Sequence, residues 1–229
     1  MNRSATTLWR AIAALLVAAT LGFPLPTRAQ PGVTLAATPA FEGNYTPGAW
    51  LPIEVRLRND GPPVVATVAV AQPDAPFRNV QTVELPTGAE KQLTLYAAME
   101  ESSRALRLTV EDGDAVLAEQ ELAVRPRVDE RLLGVLAAGE LQLSLPRRED
   151  MDALPFTTVR LTPEGMPERA AGLSSLSLLL LSGAPADALS ATQREALLGW
   201  VASGGHLVLG GGAEAARAVA GLPPQLQPA

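Results

Sequence analysis

The sequence predicts a chain of mixed fold class, with an all-β, immunoglobulin-like sandwich over residues 30–127 and an α/β parallel-sheet domain over residues 128–229. Two observations support this division. Before about residue 125, apolar and polar side chains alternate with a period of two, and after it apolar residues form short uninterrupted runs. Alternation is typical of strands with one buried face, whereas uninterrupted runs are typical of parallel strands buried on both faces.

The first 29 residues predict a secretory signal peptide. Arg3 and Arg10 supply positive charge, "AIAALLVAATLGF" is an apolar run of 13 residues, and Thr27 and Ala29 place small side chains before a cleavage site at Gln30. The run is too short to span a bilayer comfortably, although an uncleaved signal anchor is the alternative. We therefore expect an exported, extracytoplasmic protein of the periplasm or cell surface, with no other transmembrane helix.

Without that segment the chain is acidic, and it contains no cysteine. Removing the three arginines of residues 1–29 leaves 15 basic and 24 acidic side chains, a net charge of −9. An acidic chain repels nucleic acid and anionic lipid. The absence of cysteine excludes disulfides and thiolate metal sites. We expect no nucleic-acid partner, no metal and no cofactor, so stability must come from apolar burial.

Seven strands are predicted in the first segment. In "LPIEVRLRNDG", Ile53, Val55 and Leu57 point to one face and charged residues point to the other. The run "ALRLTVEDGDAVLAEQELAV" predicts a hairpin that turns at "EDGD". This acidic turn has calcium-like residues but too few spaced ligands for a complete calcium loop. Turn signals at near-regular spacing predict the immunoglobulin-like sandwich.

The second segment changes to buried strands and helices. A helix is predicted over "SATQREALLGWVA", where Ser190 and Gln193 form a capping box at its start and Gly204 and Gly205 end it. A further helix is predicted at "AEAARAVAG". The predicted strands are "LLGVLA", "FTTVRL", "LSSLSLLLLSG" and "HLVLG". The order of these elements predicts an α/β layer domain.

The glycine-rich run "WVASGGHLVLGGG", residues 200–212, contains the only histidine of the chain. Gly205 and Gly210 have the spacing of a phosphate-binding P-loop, but glycines stand where Lys and Ser or Thr are required, which excludes that motif. Gly210, Gly212 and Ala215 match a dinucleotide fingerprint, but too few residues follow to supply the acid that binds the ribose. The structural interpretation is that the glycines permit left-handed backbone angles and close packing of helix on strand.

A family resemblance is carried by the run from "LTPEGMPERAAG" to "HLVLGGG", in which "LS..Q..AL..WV..GG.LVLGGG" is the most specific portion. Over residues 132–222 it resembles a class I glutamine amidotransferase-like domain. The preceding "YTPGAWLPIEVRLRNDG" is similar to the immunoglobulin-like domain that accompanies degenerate versions of it in bacterial exported or membrane-anchored proteins. The resemblance implies a flavodoxin-like, amidotransferase-like parallel sheet.

The same resemblance implies a catalytically dead domain. Active amidotransferases carry a cysteine at the turn after the glycine-bounded strand, with a histidine and a carboxylate beyond it. Here glycines 210–212 stand at that turn, His206 precedes the strand, and Ser177 stands where relatives commonly have an aspartate. Relatives tend to be longer and to continue into membrane helices. We therefore expect an incomplete, truncated sheet with an exposed apolar edge after "HLVLG".

These features predict a non-catalytic, exported cell-envelope binding or scaffolding protein. Its partner would be an unknown envelope protein or its own missing membrane-anchored region. One alternative is an envelope serine hydrolase in which His206 acts as the base for Ser182. Another is a sugar- or peptide-binding module at the carboxyl ends of the α/β strands, in a pocket lined by residues 138–150, 182–188 and 210–214. The candidate binding residues there are Ser182, Asp187, Gly210, Gly211 and Gly212.

Overall fold

The computed structural model describes residues 32–73, 75–139, 154–183, 186–211 and 215–227, which belong to one compact unit, Gly32–Ala229. The predicted signal peptide lies outside the described residues. The described chain contains thirteen strands and two α-helices, α1 (Ala191–Ala202) and α2 (Ala215–Ala220). The strands are β1 (Val33–Pro39), β2 (Asn44–Tyr45), β3 (Trp50–Asn59), β4 (Val64–Ala71), β5 (Asn79–Leu85), β6 (Glu90–Ala98), β7 (Ala105–Asp112), β8 (Ala115–Ala123), β9 (Arg125–Pro126), β10 (Arg131–Ala137), β11 (Phe156–Leu161), β12 (Leu176–Ser182) and β13 (His206–Leu209).

The first half of the described chain is a sandwich of two antiparallel sheets. One sheet has the order β1–β3–β6 and the other the order β5–β4–β7–β8. Their inward side chains form one buried cluster, and the facing predicted for Ile53, Val55 and Leu57 is confirmed because each is at most 1% exposed. The hairpin predicted at "EDGD" is also confirmed, since β7 and β8 pair across it.

The second half contains a four-stranded parallel sheet of order β11–β10–β12–β13. The four strands predicted from apolar runs are all present, and α1 connects β12 to β13. The capping box is confirmed: the Gln193 N–H donates to Ser190 Oγ at 3.1 Å, and the Ser190 N–H donates to Gln193 Oε1 at 2.8 Å. Neither described helix has the length and apolar character that crossing a membrane requires.

The predicted fold class is wrong, because the described chain is mostly β and has no clear flavodoxin-like α/β domain. The crossover from β11 to β12, where a doubly wound domain would place a helix, holds only a 3-10 turn at Ala170–Leu173. Pro163, Gly165 and Pro167 precede that turn. Proline lacks a backbone donor and glycine is a poor helix former, so this crossover cannot form a regular helix.

The parallel sheet is joined to the sandwich by the segment that follows this crossover, Ala170–Ser175. The Thr46 hydroxyl donates to the Ser175 carbonyl at 2.9 Å, and the Trp50 N–H donates to Ser174 Oγ at 3.0 Å. A Cβ atom at Gly172 would lie 2.8 Å from Tyr96 Cε1, so only glycine permits this close approach. Buried side chains of the sandwich and of the parallel sheet belong to one continuous core.

A second connection lies beside β11, where the backbone of Phe41 and Glu42 takes left-handed angles, with φ of 55° and 56°. Phe41 is 2% exposed and belongs to the shared core. The Asn44 side-chain amide donates to the Phe41 carbonyl at 2.8 Å and accepts from Arg127 Nε at 2.9 Å. A polar chain continues from Arg127 through Glu130 to Thr157 in β11. Bulky residues rarely adopt such angles, so the surrounding contacts must hold this turn in place.

We expect replacement of Glu42 by glycine to stabilise the protein. A left-handed angle costs a non-glycine residue roughly 1–2 kcal/mol, and the exposed Glu42 side chain is not part of the core. Glycine also gains conformational freedom in the unfolded chain, which offsets part of the stabilisation from removing the left-handed strain. The free energy of unfolding should therefore rise by about 1 kcal/mol. Urea unfolding followed by circular dichroism measures this change.

The matched control is Glu84→Gly, which removes an exposed glutamate from the extended strand β5. Glycine weakens a strand, so this variant should be less stable than the parent chain. Equal losses of stability in the two variants would contradict a strained turn at Glu42.

Candidate functional site

Ser182, Gly210 and Gly211, three of the predicted binding residues, lie together at the carboxyl ends of β12 and β13. Ser182 is the last residue of β12, and the two glycines follow β13. The Gly210 N–H donates to the Leu181 carbonyl at 2.7 Å. The backbone of Asp187 lies in a 3-10 turn, Ala186–Ala188. Gly212 and most of the predicted pocket lining at residues 138–150 lie outside the described residues.

Gly210 packs directly against Ser182. A Cβ atom built on Gly210 would lie 2.6 Å from Ser182 Oγ and 2.9 Å from Ser182 Cβ, closer than side chains tolerate. Gly211 has open space at the same position, with no atom within 4 Å. Glycine is therefore required at residue 210 by close approach of the two strand ends, which agrees with the structural interpretation of the glycine run.

Ser182 and His206 lie toward opposite ends of the parallel sheet. Parallel pairing aligns His206, the first residue of β13, with Leu178 of β12. Ser182 is four residues further along β12, a distance of about 13 Å at ~3.3 Å per residue. A base must lie within hydrogen-bond reach of its nucleophile, so the register does not supply the Ser182–His206 pair of the hydrolase hypothesis.

His206 instead borders a groove at the amino ends of β10, β12 and β13, with a volume of about 690 Å³. The end of α1 forms one wall of this groove. The helix ends there because Gly204 takes a φ of +99° and the Gly205 N–H donates to the Trp200 carbonyl at 3.0 Å. The helix ending predicted at these glycines is confirmed. Polar lining comes from Arg131, Ser174, Ser177, Ser203 and His206.

A second groove, which we term the junction groove, lies where β6 of the sandwich meets the loop before the 3-10 turn and the start of α1. Its volume is about 540 Å³. The Arg169 guanidinium carbon lies 5.2 Å from the centre of the Tyr96 ring, a cation–π distance. The junction groove is lined by Gln81, Gln92, Leu93, Thr94, Tyr96, Glu168, Arg169 and Thr192.

Tyr96 is a half-buried residue in the lining of the junction groove. Burial raises the pKa of its hydroxyl above the ordinary tyrosine value, and the nearby Arg169 charge opposes that rise. The hydroxyl therefore remains protonated at neutral pH and can donate a hydrogen bond. The 3-10 turn packs against the edge of the ring at Gly172, where a Cβ atom would lie 2.8 Å from Tyr96 Cε1.

The chemistry of the junction groove is that of hydrogen bonding. Two carboxamides, two hydroxyls, a carboxylate and a guanidinium surround one aromatic ring. Exposed side chains of both charge signs next to carboxamides suit a polar, hydroxyl-rich ligand, because each such group can donate, accept or do both.

No pattern in the sequence indicated that these residues would meet, because they come from four separate elements. Gln193 of the capping box was the one residue already predicted from the sequence that helps to position this groove. Its side-chain amide also donates to the Pro163 carbonyl at 2.8 Å and to the Met166 carbonyl at 2.9 Å. This buried glutamine therefore ties the loop that carries Glu168 and Arg169 to the start of α1.

Comparison with protein families shows a similarity within the sandwich. Residues 32–125 match the family described as a domain of unknown function, DUF8726. The matched residues run from the start of β1 to the start of β9. No curated protein matches the chain.

Comparison with solved structures finds similarities of low score. A CARDB domain from Pyrococcus furiosus, crystallised in complex with di-metal ions, is 19% identical, with 42% of this chain and 90% of that chain covered and a TM-score of 0.34. A β-glucosidase from Listeria innocua with glucose is 18% identical over 42% of this chain and 16% of that chain, with a TM-score of 0.29.

A cycloisomaltooligosaccharide glucanotransferase from Paenibacillus sp., complexed with cycloisomaltoheptaose, is 11% identical. The alignment covers 73% of this chain and 26% of that enzyme, with a TM-score of 0.30. Scores of this size do not transfer a function. These similarities do not show a glutamine amidotransferase-like domain, so that resemblance remains a prediction.

We expect Gly210→Ala to destabilise the protein because the new methyl group would overlap Ser182. Overpacking of this kind costs about 1–3 kcal/mol. Gly211→Ala is the matched control, and it should change the free energy of unfolding by less than about 0.5 kcal/mol because the position is open. Chemical denaturation measures both variants.

The double variant Ser182→Gly with Gly210→Ala should recover part of the lost stability, because it removes the Ser182 atoms that the methyl group would meet. Equal destabilisation by the alanines at residues 210 and 211 would contradict the close approach described for Gly210.

Proposed function

We propose that this chain is a non-catalytic binding or scaffolding protein of the bacterial cell envelope. The observation that carries the proposal is the joint between the sandwich and the parallel sheet. One continuous core and the hydrogen bonds of Ser174 and Ser175 hold the two parts together, and the junction groove opens at this joint. A fixed joint with a polar groove suits a protein that holds a ligand or partner in a set position.

The absence of catalysis is supported by the geometry at the carboxyl ends of the strands. Ser182 packs against Gly210, and His206 lies about 13 Å away along the sheet at ~3.3 Å per residue. Neither arrangement provides the nucleophile and base that covalent catalysis requires.

The envelope location is supported by the sequence of residues 1–29. Two arginines, an apolar run of 13 residues and small side chains before Gln30 form the three parts of a secretory signal. A protein without cysteine needs no oxidative folding after export.

The ligand class that fits the junction groove is a hydroxyl- and amide-rich polymer such as the glycan of peptidoglycan. Such a ligand offers many donors and acceptors at short spacing, which matches the carboxamides of Gln81 and Gln92 and the charged groups of Glu168 and Arg169. Affinity would arise from several such hydrogen bonds acting together with packing on Tyr96.

Co-sedimentation with purified peptidoglycan sacculi tests this function. Residues 30–229 should pellet with the sacculi in a saturable manner. The double variant Glu168→Ala with Arg169→Ala should bind at least about fivefold more weakly, a loss of roughly 1 kcal/mol, because it removes both charged groups of the junction groove.

The matched control is Arg107→Ala with Glu119→Ala. This variant also removes one arginine and one glutamate, which pair at 2.5 Å on the outer face of the sandwich. It should bind sacculi as the parent chain does. A parent chain that stays in the supernatant, or equal weakening by the two double variants, would argue against peptidoglycan binding at the junction groove.

A further inference from the structure

Strand β13 forms an edge of the parallel sheet and pairs only with β12 among the described residues. The apolar edge expected after "HLVLG" is therefore present. Val208 is 41% exposed, while Leu207 and Leu209 are half-buried on the opposite face. The outer edge of such a strand presents backbone N–H and C=O groups that can accept another strand.

Side chains protect the other edge strands of the larger sheets, whereas the four residues of β13 carry no charge and only their short length limits edge pairing. At β1, the Gln120 carboxamide accepts from the Ala37 N–H at 2.8 Å and donates to the Ala37 carbonyl at 3.0 Å, so it occupies that edge. Charged side chains and side-chain caps of this kind are the devices by which proteins prevent edge-to-edge pairing. The remaining edges contain charged residues within the strand: Glu84 in β5, Lys91 in β6, Glu119 and Glu121 in β8, and Arg160 in β11.

The sequence of β13, "HLVL", contains no lysine, arginine, aspartate, glutamate or proline. Residues 30–229 carry a net charge of −9, so two copies repel each other at long range. An uncharged edge is the part of the surface at which two copies can approach without that repulsion. A strongly charged partner strand would find no charge complement on β13 itself.

The strand is also complementary to itself. In an antiparallel pair, residues directly opposite each other point to the same face of the sheet. If Val208 lies opposite Val208 of a second copy, Leu207 lies opposite Leu209, and His206 lies opposite Gly210. The exposed valines then cover each other, the half-buried leucines align, and no two histidines face each other.

We propose that two copies of this chain associate through antiparallel pairing of their β13 strands about a two-fold axis at Val208. The two four-stranded sheets then form one continuous eight-stranded sheet. A two-fold interface uses the same surface patch on both copies, which the self-complementary register satisfies. A four-residue strand buries little area, so the association is weak and depends on protein concentration.

A single introduced cysteine tests this pairing directly, because the natural chain has none. Val208→Cys in residues 30–229 should form a disulfide-linked dimer under mild oxidation, since opposed Cα atoms in antiparallel strands lie about 4.5–5.5 Å apart, within the range of a disulfide. Val65→Cys is the matched control, because Val65 is a 60% exposed valine on the sandwich. We expect cross-linking at residue 208 to be at least about tenfold faster than at residue 65.

Analytical ultracentrifugation supplies a second measurement that does not require a cysteine. The parent chain should show a rising fraction of dimer up to several hundred micromolar, and Val208→Lys should remain monomeric, while Val65→Lys should behave as the parent chain does. A parent chain that is monomeric throughout this range, equal cross-linking at residues 65 and 208, or dimerisation unaffected by Val208→Lys would each overturn the proposal.

Discussion

The packing of Ala170–Ser175 on the sandwich is the interaction on which the rest of the structure depends. The parallel sheet has only four strands and one helix longer than two turns in the described chain, so it offers few layers with which to bury its own apolar faces. The sandwich supplies the missing contacts on one side through Thr46, Trp50 and Tyr96, which meet the segment Ala170–Ser175. On the other side it supplies them through the left-handed turn at Phe41. The two halves therefore share one core.

The same segment borders both of the grooves described above. Glu168 and Arg169, just before it, line the junction groove, and Ala170, Ala171 and Ser174 line the groove at the amino ends of the strands. One short stretch of chain, whose position is set by the joint, therefore contributes to the lining of both grooves. The carboxyl ends of the strands are organised differently, because Ser182 and Gly210 meet there in close packing.

Local signals in the sequence predicted the strands, the inward face of β3 and the capping box of Ser190 and Gln193, because each depends on neighbours within a few residues. The contact of Thr46 with Ser175 spans 129 residues and leaves no local pattern. Left-handed angles at Phe41 and Glu42 also have no sequence signal, since glycine normally marks them. The flavodoxin-like class was wrong because apolar runs identified the strands but did not show which layers cover them. The hypothesis that Ser182 and His206 act together was made without knowledge of the strand register, which separates them.

Unfolding followed at two separate tryptophans tests the shared core most directly. Residues 30–229 contain Trp50 in the sandwich and Trp200 in α1. The variant Trp200→Phe leaves Trp50 as the fluorescent probe of the sandwich, and Trp50→Phe leaves Trp200 as the probe of α1. During unfolding in urea, the fluorescence transition of each variant should coincide with its loss of strand signal by circular dichroism, as expected for one cooperative unit. A Trp200 transition that is complete while the sandwich remains folded would contradict this account.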